Sequence, residues 1–276
     1  MTARLISLPI LLLAACAPRP ETVAPAGPQQ VVYTATDFSF TGPDSIAPGL
    51  TTIRLANQGA QPHHLILGEL KQGKTAQDLM SFMQASPEAE PPFLTWRGAA
   101  AGIVPGDTAG STSDLPAGRY VLICFLPDPA DKKSHANKGM VKELVVAGTP
   151  HPGRPPVTRG EIRMNDFGYS ALPLAAGSRT IHVVNDGPQT HEIQLIRLNP
   201  GATGQQYLAA MAPGATTPPP GTLLGGPGAL SSGLDNYWTV TFAPGNYLFV
   251  CFVPDSADGK PHIMKGMLQE FSIPAT

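Results

Sequence analysis

The chain has 276 residues, about twice the usual domain length, so two domains are expected. Its formal charge of −2 comes from 18 basic and 20 acidic residues with no long run of one sign, which excludes the clustered basic face of a nucleic-acid-binding protein. With 29 Gly, 31 Pro and only 14% charged residues, the composition favours short strands joined by turns over long amphipathic helices.

Residues 1–16 (MTARLISLPILLLAAC) place Arg4, an apolar run and small residues in the order of a short export signal. The apolar run is too short to span a membrane comfortably. Leu13-Ala14-Ala15-Cys16 resembles the bacterial lipobox, in which the cysteine is lipidated and becomes the mature N-terminus. The expectation is an extracytoplasmic protein, in the periplasm or on the cell surface, held to a bacterial membrane by a lipid on Cys16. An ordinary cleaved signal peptide with an incidental cysteine is the alternative. Residues 17–30 are Pro/Ala-rich and read as a tether.

From Val31 onward the chain repeats itself. VVYTATDFSFTG alternates apolar and polar residues as a half-buried strand does. TTIRLANQG (Thr51–Gly59) predicts the next strand, ending in a turn-forming cluster, and RTIHVVNDG (Arg179–Gly187) is its second copy. Gly49/Gly177, Asn57/Asn185 and Gly59/Gly187 are each 128 residues apart, as are His63 and His191 just beyond the turns. His64 aligns with Glu192, which sets it apart from this matched pair.

Short helices are predicted at Thr75–Met83 and Thr203–Met211, where Thr75 with Asp78 and Thr203 with Gln206 form capping boxes. The methionines there have the spacing of core packing. The Pro-, Gly- and Ser-rich stretches Pro87–Asp114 and Pro213–Asn236 read as loops covering one end of each unit. Trp96 and Trp238 do not align and receive no shared role. Residues 149–160 form a Pro/Gly linker in which His151 is expected to be exposed, and His182, matched with Arg54, is expected at the surface. The units are therefore 31–148 and 161–276.

Each unit ends alike. GRYVLICFLPDPADKKSHANKGM (Gly118–Met140) and GNYLFVCFVPDSADGKPHIMKGM (Gly245–Met267) keep Cys124/Cys251, His135/His262 and Met140/Met267 at a common offset of 127. The strands before the cysteines are apolar on both faces, as interior strands of a two-layer sandwich are. A Cys124–Cys251 disulfide is the bland alternative in an oxidising compartment, but each cysteine has its own His and Met neighbours. Thiolate, imidazole and thioether together suit copper better than magnesium, calcium or manganese. With the upstream histidines the sets are His63, Cys124, His135 and Met140, and His191, Cys251, His262 and Met267.

On the Asn-turn-His, the Gly-x-Tyr-x-x-x-Cys strand and the Cys…His-x4-Met loop, the chain resembles the cupredoxins, the blue (type 1) copper proteins such as plastocyanin and azurin. The resemblance implies an all-β fold, two tandem Greek-key β-sandwiches each with a short helical insert, carrying one type 1 copper apiece. The ten residues between Cys and His exceed the spacing in small members of the family, and their Asp/Pro/Gly/Lys content suggests a solvent-exposed bulge.

No His-x-His occurs, and Ile123, Phe125, Val250 and Phe252, not histidines, flank the cysteines. The expectation is therefore a protein that is not an enzyme and passes single electrons between redox partner proteins. Copper storage or delivery to a copper-handling protein, or a metal-free interaction module, are the alternatives.

Overall fold

A computed structural model describes residues 27–275 apart from 87, 88, 172 and 213. The export signal, Cys16 and residues 17–26 of the tether lie outside the described residues. The first half of the chain forms β1 (Gln29–Thr36), β2 (Ser39–Thr41), β3 (Ser45–Ile46), β4 (Gly49–Asn57), β5 (His63–Leu70), α1 (Ala76–Ala85), β6 (Leu94–Ile103), β7 (Thr108–Leu115), β8 (Gly118–Ile123) and β9 (Val141–Val146). The second forms β10 (Glu161–Asn165), β11 (Gly168–Ala171), β12 (Gly177–Asn185), β13 (Gln194–Leu198), α2 (Gly204–Ala210), β14 (Gly221–Leu223), β15 (Asp235–Phe242), β16 (Gly245–Val250) and β17 (Leu268–Ile273). β1 thus begins inside the stretch that composition assigns to the tether.

Each half is a cupredoxin-like β-sandwich. In the first, β3-β9-β8-β5-β6 face β7-β4-β1-β2; in the second, β14-β13-β16-β17 face β11-β10-β12-β15. Residues Tyr120–Ile123 of β8 and Tyr247–Val250 of β16 are buried throughout, as their two-sided apolar sequence requires. Between the layers, Tyr33, Leu55, Leu67, Tyr120 and Leu122 fill one core, and Ile181, Trp238, Phe242, Tyr247 and Phe249 fill the other. Cys124 and Cys251 are free thiols, each in its own core, so no disulfide joins them.

Both helices carry the capping boxes expected of them. The Thr75 hydroxyl accepts the Asp78 N–H at 3.2 Å while the Asp78 carboxylate accepts the Thr75 N–H at 2.9 Å. The Thr203–Gln206 pair does the same at 3.2 and 3.0 Å. Leu79 seats α1 on the outer face of its sheet and is fully buried, a contribution of about 1.5–3 kcal/mol.

The loop reading of Pro87–Asp114 is corrected: it holds β6 and β7, with ten and eight residues. Their many Gly, Ala and Ser residues have little intrinsic preference for strand. They are extended because both strands sit where the two sandwiches meet, and tertiary packing overrides propensity.

That meeting has a pseudo-two-fold axis. β7 and β15 join into one eight-stranded sheet of order β11-β10-β12-β15-β7-β4-β1-β2, which reads the same from either end once the repeat is allowed for. β6 also lies against residues 224–230, with bridges Arg97↔Leu230 and Ile103↔Leu224. A shift of 127 residues turns each bridge into the other. The Gly98 N–H donates to the Ala229 carbonyl at 2.7 Å, and its symmetry mate, the Gly225 N–H, donates to the Gly102 carbonyl at 2.9 Å. The halves thus use the same surface patch against one another, as the subunits of a two-fold dimer do.

Two histidines outside the matched sets are more engaged than their positions suggested. His151 is half-buried, bridges Gly49, and has ring Nε2 2.8 Å from the Gly27 carbonyl. His182 is partly exposed between Glu161 and Asp235, at 3.1 and 2.8 Å. The segment between Cys124 and His135 is less of an open bulge than expected. Asp128 is 4% exposed and Asp255 2%. Each carboxylate accepts a backbone N–H within its own loop and pairs with a lysine, Lys138 or Lys265.

Candidate metal centres

β5 opens on His63, β8 delivers Cys124 one residue past its end, and a single 3-10 turn begins at His135. The Nδ1 atoms of His63 and His135 stand 3.0 Å apart, and Cys124 Sγ is 3.5 Å from His135 Nδ1. In the second half His191 and His262 are 3.1 Å apart at Nδ1, and Cys251 Sγ lies 3.5 Å from His262 Nδ1. Each trio brings its ligand atoms within 4.8 Å of one another, and all six residues are buried.

Met140 and Met267 are also fully buried. Their backbones close the loops: the Met140 carbonyl accepts the Cys124 N–H at 3.2 Å, and the Met140 N–H donates to the His135 carbonyl at 2.9 Å. Met267 repeats both bonds at 3.2 and 3.0 Å. His64 stays out of the trio, as its mismatch with Glu192 suggested. Its Nε2 accepts the Phe125 N–H at 2.5 Å, and the Glu192 carboxylate accepts the Phe252 N–H at 3.0 Å. Two different side chains thus perform one task, holding the residue after each cysteine.

The sequence reading missed two carboxylates that complete the sites. Asp37 Oδ1 is 2.9 Å from His63 Nε2, and Asp166 Oδ1 is 2.6 Å from His191 Nε2. The repeated Asp-Phe pairs, Asp37-Phe38 and Asp166-Phe167, were the available signal, and the phenyl rings pack edge-on against His135 and His262 at 5.1 and 5.0 Å. Gly59 and Gly187, read as turn residues, leave room for these pairs. A Cβ on Gly59 would lie 2.6 Å from His63 Nε2 and 2.5 Å from Asp37 Oδ1, and one on Gly187 would lie 2.7 Å from His191 Nε2.

These contacts set the tautomers. An imidazole that donates Nε2–H to a carboxylate presents a bare Nδ1, the arrangement typical of metal-ligating histidine. His63 does so towards Asp37, and His135 donates Nε2–H to Gln61 Oε1 at 3.2 Å. In these tautomers two bare Nδ1 atoms face each other 3.0 Å apart. Two acceptors cannot satisfy one another, whereas a cation beside the thiol satisfies both. This donor set fits copper.

Burial, and then His63, push the His135 imidazole below its usual pKa, while burial, and then His191, push His262 down to about 4. Burial also pushes the Cys124 thiol up to about 12, and burial with the nearby Glu192 raises Cys251 well above its ordinary value. In the metal-free protein at neutral pH these imidazoles are thus neutral and the thiols protonated, so metal binding must expel the thiol proton.

No family model matches the chain, and neither does any curated protein sequence. Solved structures align with it at low scores. An auracyanin from Roseiflexus castenholzii is 20% identical, with a TM-score of 0.32, covering 45% of this chain and 100% of its own. A blue copper oxidase from Nitrosomonas europaea is 12% identical, with a TM-score of 0.25, covering 89% of this chain and 86% of its own. A copper-containing nitrite reductase from Thermus scotoductus is 13% identical, with a TM-score of 0.22, covering 88% of this chain and 61% of its own.

The expectation that the chain is not an enzyme is withdrawn. The structures that align over both sandwiches are titled as enzymes, an oxidase and a reductase among them. At these scores the alignments assign no reaction to this chain. The two buried His/Cys/His groups are what support copper binding by this chain.

Proposed function

We propose that this is an extracytoplasmic copper redox protein, tethered to a membrane through Cys16, in which two type 1 centres accept and release single electrons. The observation that carries the reading is a pair of imidazole Nδ1 atoms held 3.0 Å apart in one half and 3.1 Å apart in the other, each pair beside a buried thiol. In this reading His63, Cys124 and His135, and likewise His191, Cys251 and His262, would hold the copper, and the buried Met140 and Met267 would add a thioether to each site. Copper supplies one-electron chemistry at such a site, tuned by the axial ligand and the hydrogen bonds around the sulfur.

The protein's part is rigidity. The His–Asp pairs, the backbone bonds from Met to Cys and His, and the closed Asp–Lys loops leave the ligands little freedom to rearrange between oxidation states. No helix among the described residues is long and apolar enough to cross a membrane; the proposed anchor is the lipid.

A potentiometric titration of the copper-loaded protein tests this. Two reversible one-electron steps with full recovery of the oxidised spectrum are expected. Loss of metal on reduction would contradict the reading and favour copper delivery.

A further inference from the structure

The pseudo-two-fold axis runs beside a cleft of about 740 Å³ between the sandwiches, within the roughly 300–1,000 Å³ range of small-molecule sites. Its walls come in repeat-related pairs. Phe125 faces it from one half and Phe252 from the other, and so do His64 and Glu192, and Met83 and Met211. Four of these residues directly follow a proposed copper ligand: His63-His64, Cys124-Phe125, His191-Glu192 and Cys251-Phe252. A molecule that fills the cleft would therefore touch the covalent neighbours of both metal trios.

The cleft is lined mostly by apolar side chains, and the two polar groups beside the metal trios, His64 and Glu192, are complementary. Because His64 Nε2 accepts the Phe125 N–H, a neutral ring carries its hydrogen on Nδ1. Glu192 spends one oxygen on the Phe252 N–H. Neither His64 Nδ1 nor the second Glu192 oxygen has a hydrogen-bond partner among the described residues, and neither is sealed from solvent. The cleft thus offers a donor from one half and an acceptor from the other, between aromatic walls.

We propose that the cleft binds a hydroquinone-class ring, with one oxygen accepting from His64, the opposite hydroxyl donating to Glu192, and the ring between Phe125 and Phe252. This rests on the copper reading for its consequence but not for the binding itself. Two one-electron centres flanking one cleft match a two-electron organic couple. With copper held by the two His/Cys/His trios, oxidation of the ring would break two O–H bonds, release two protons to water and give up one electron to each trio's Cu(II), the ring leaving as quinone.

The test titrates 2,3-dimethylhydroquinone into the full chain, metal-free and copper-loaded, following heat and the fluorescence of Trp96, which lines the cleft while Trp238 is buried in the second core. Saturable binding of one ring per chain is expected in both forms. 1,4-Dimethoxybenzene, which has no hydroxyl to donate, should bind at least tenfold more weakly. Leu223→Trp, which places a second indole where the repeat has Trp96, should fill the cleft and weaken ring binding at least tenfold, with copper content unchanged. A copper-loaded, coloured protein that binds no ring, or one whose binding ignores Leu223→Trp, would overturn the cleft assignment. A protein that binds the ring but takes up no copper would leave the cleft standing and sink the copper reading instead.

Discussion

The two sandwiches hold the same His/Cys/His triangle with different supports. Nδ1 atoms are 3.0 Å apart in the first and 3.1 Å in the second, with Sγ 3.5 Å from the second imidazole in both. Around that triangle the halves diverge. Gln61 accepts from His135 in the first, whereas Gln189 turns to Asp166 and the Ser256 N–H, and His262 Nε2 is buried without a partner among the described residues. His64 receives the Phe125 N–H where Glu192 receives that of Phe252. Strand β6 runs ten residues where its copy pairs as only three, β14, with Leu230 standing in for Ile103. The elements common to both halves, the His–Asp pair and the Met–Cys backbone bond, are therefore the ones that position the ligands. The elements that differ are free to tune each site.

The largest expected effect probes the backbone at the junction. Gly226 has φ +142°, and a Cβ there would lie 1.8 Å from the Ile193 carbonyl oxygen. Its counterpart Ala99 tolerates φ +105°. Gly226→Ala should lower the unfolding free energy by about 3–5 kcal/mol, while Ala99→Gly should change it by less than about 1 kcal/mol, both read from denaturant titration.

Next comes the element the halves share. Asp37→Asn should weaken copper binding about 10–100-fold at the first site alone, and Asp166→Asn at the second alone, as loss of an outer partner of a ligating histidine does. Competition with a chelator, site by site in the single variants, measures this. Equal loss at both sites from either variant would break the comparison.

Smaller effects separate the halves. Gln61→Ala should weaken the first site by about tenfold, while Gln189→Ala, whose side chain does not touch His262, should change the second site less. Burial raises the Glu192 carboxyl to about 7. As pH rises through that value the group ionises, negative charge favours Cu(II), and the potential of the second site should fall, by on the order of a tenfold step in the equilibrium, about 59 mV for one electron. The first site should show no such step, because burial, with His135 and His63, pushes His64 down to about 3. Glu192→Gln should abolish the difference.

Much of this was legible in the chain itself. The ligand trios, both capping boxes and the buried strands β8 and β16 follow from an internal repeat read with simple periodicities. Strands β6 and β7 were not legible, because GAAAGI and TAGSTSDL are rich in Gly, Ala and Ser and poor in the branched and aromatic residues that mark a strand; the pseudo-two-fold packing holds them extended. Asp37 and Asp166 lay 26 and 25 residues before their histidines. That separation hid them from motif spacing, although the repeated Asp-Phe pair was there to be matched. The unequal roles of Gln61 and Gln189, identical in sequence position, are set by neighbours such as Ser256 that alignment of the repeats does not reveal.

Titration of the metal-free protein with Cu(II), followed by visible absorption and paramagnetic resonance, tests the central claim most directly. Two copper ions per chain should bind, each adding an intense thiolate-to-copper band, with Cys124→Ser and Cys251→Ser each removing one ion and about half the colour. Saturation without that band, or loss of both sites from a single cysteine variant, would contradict two independent type 1 centres.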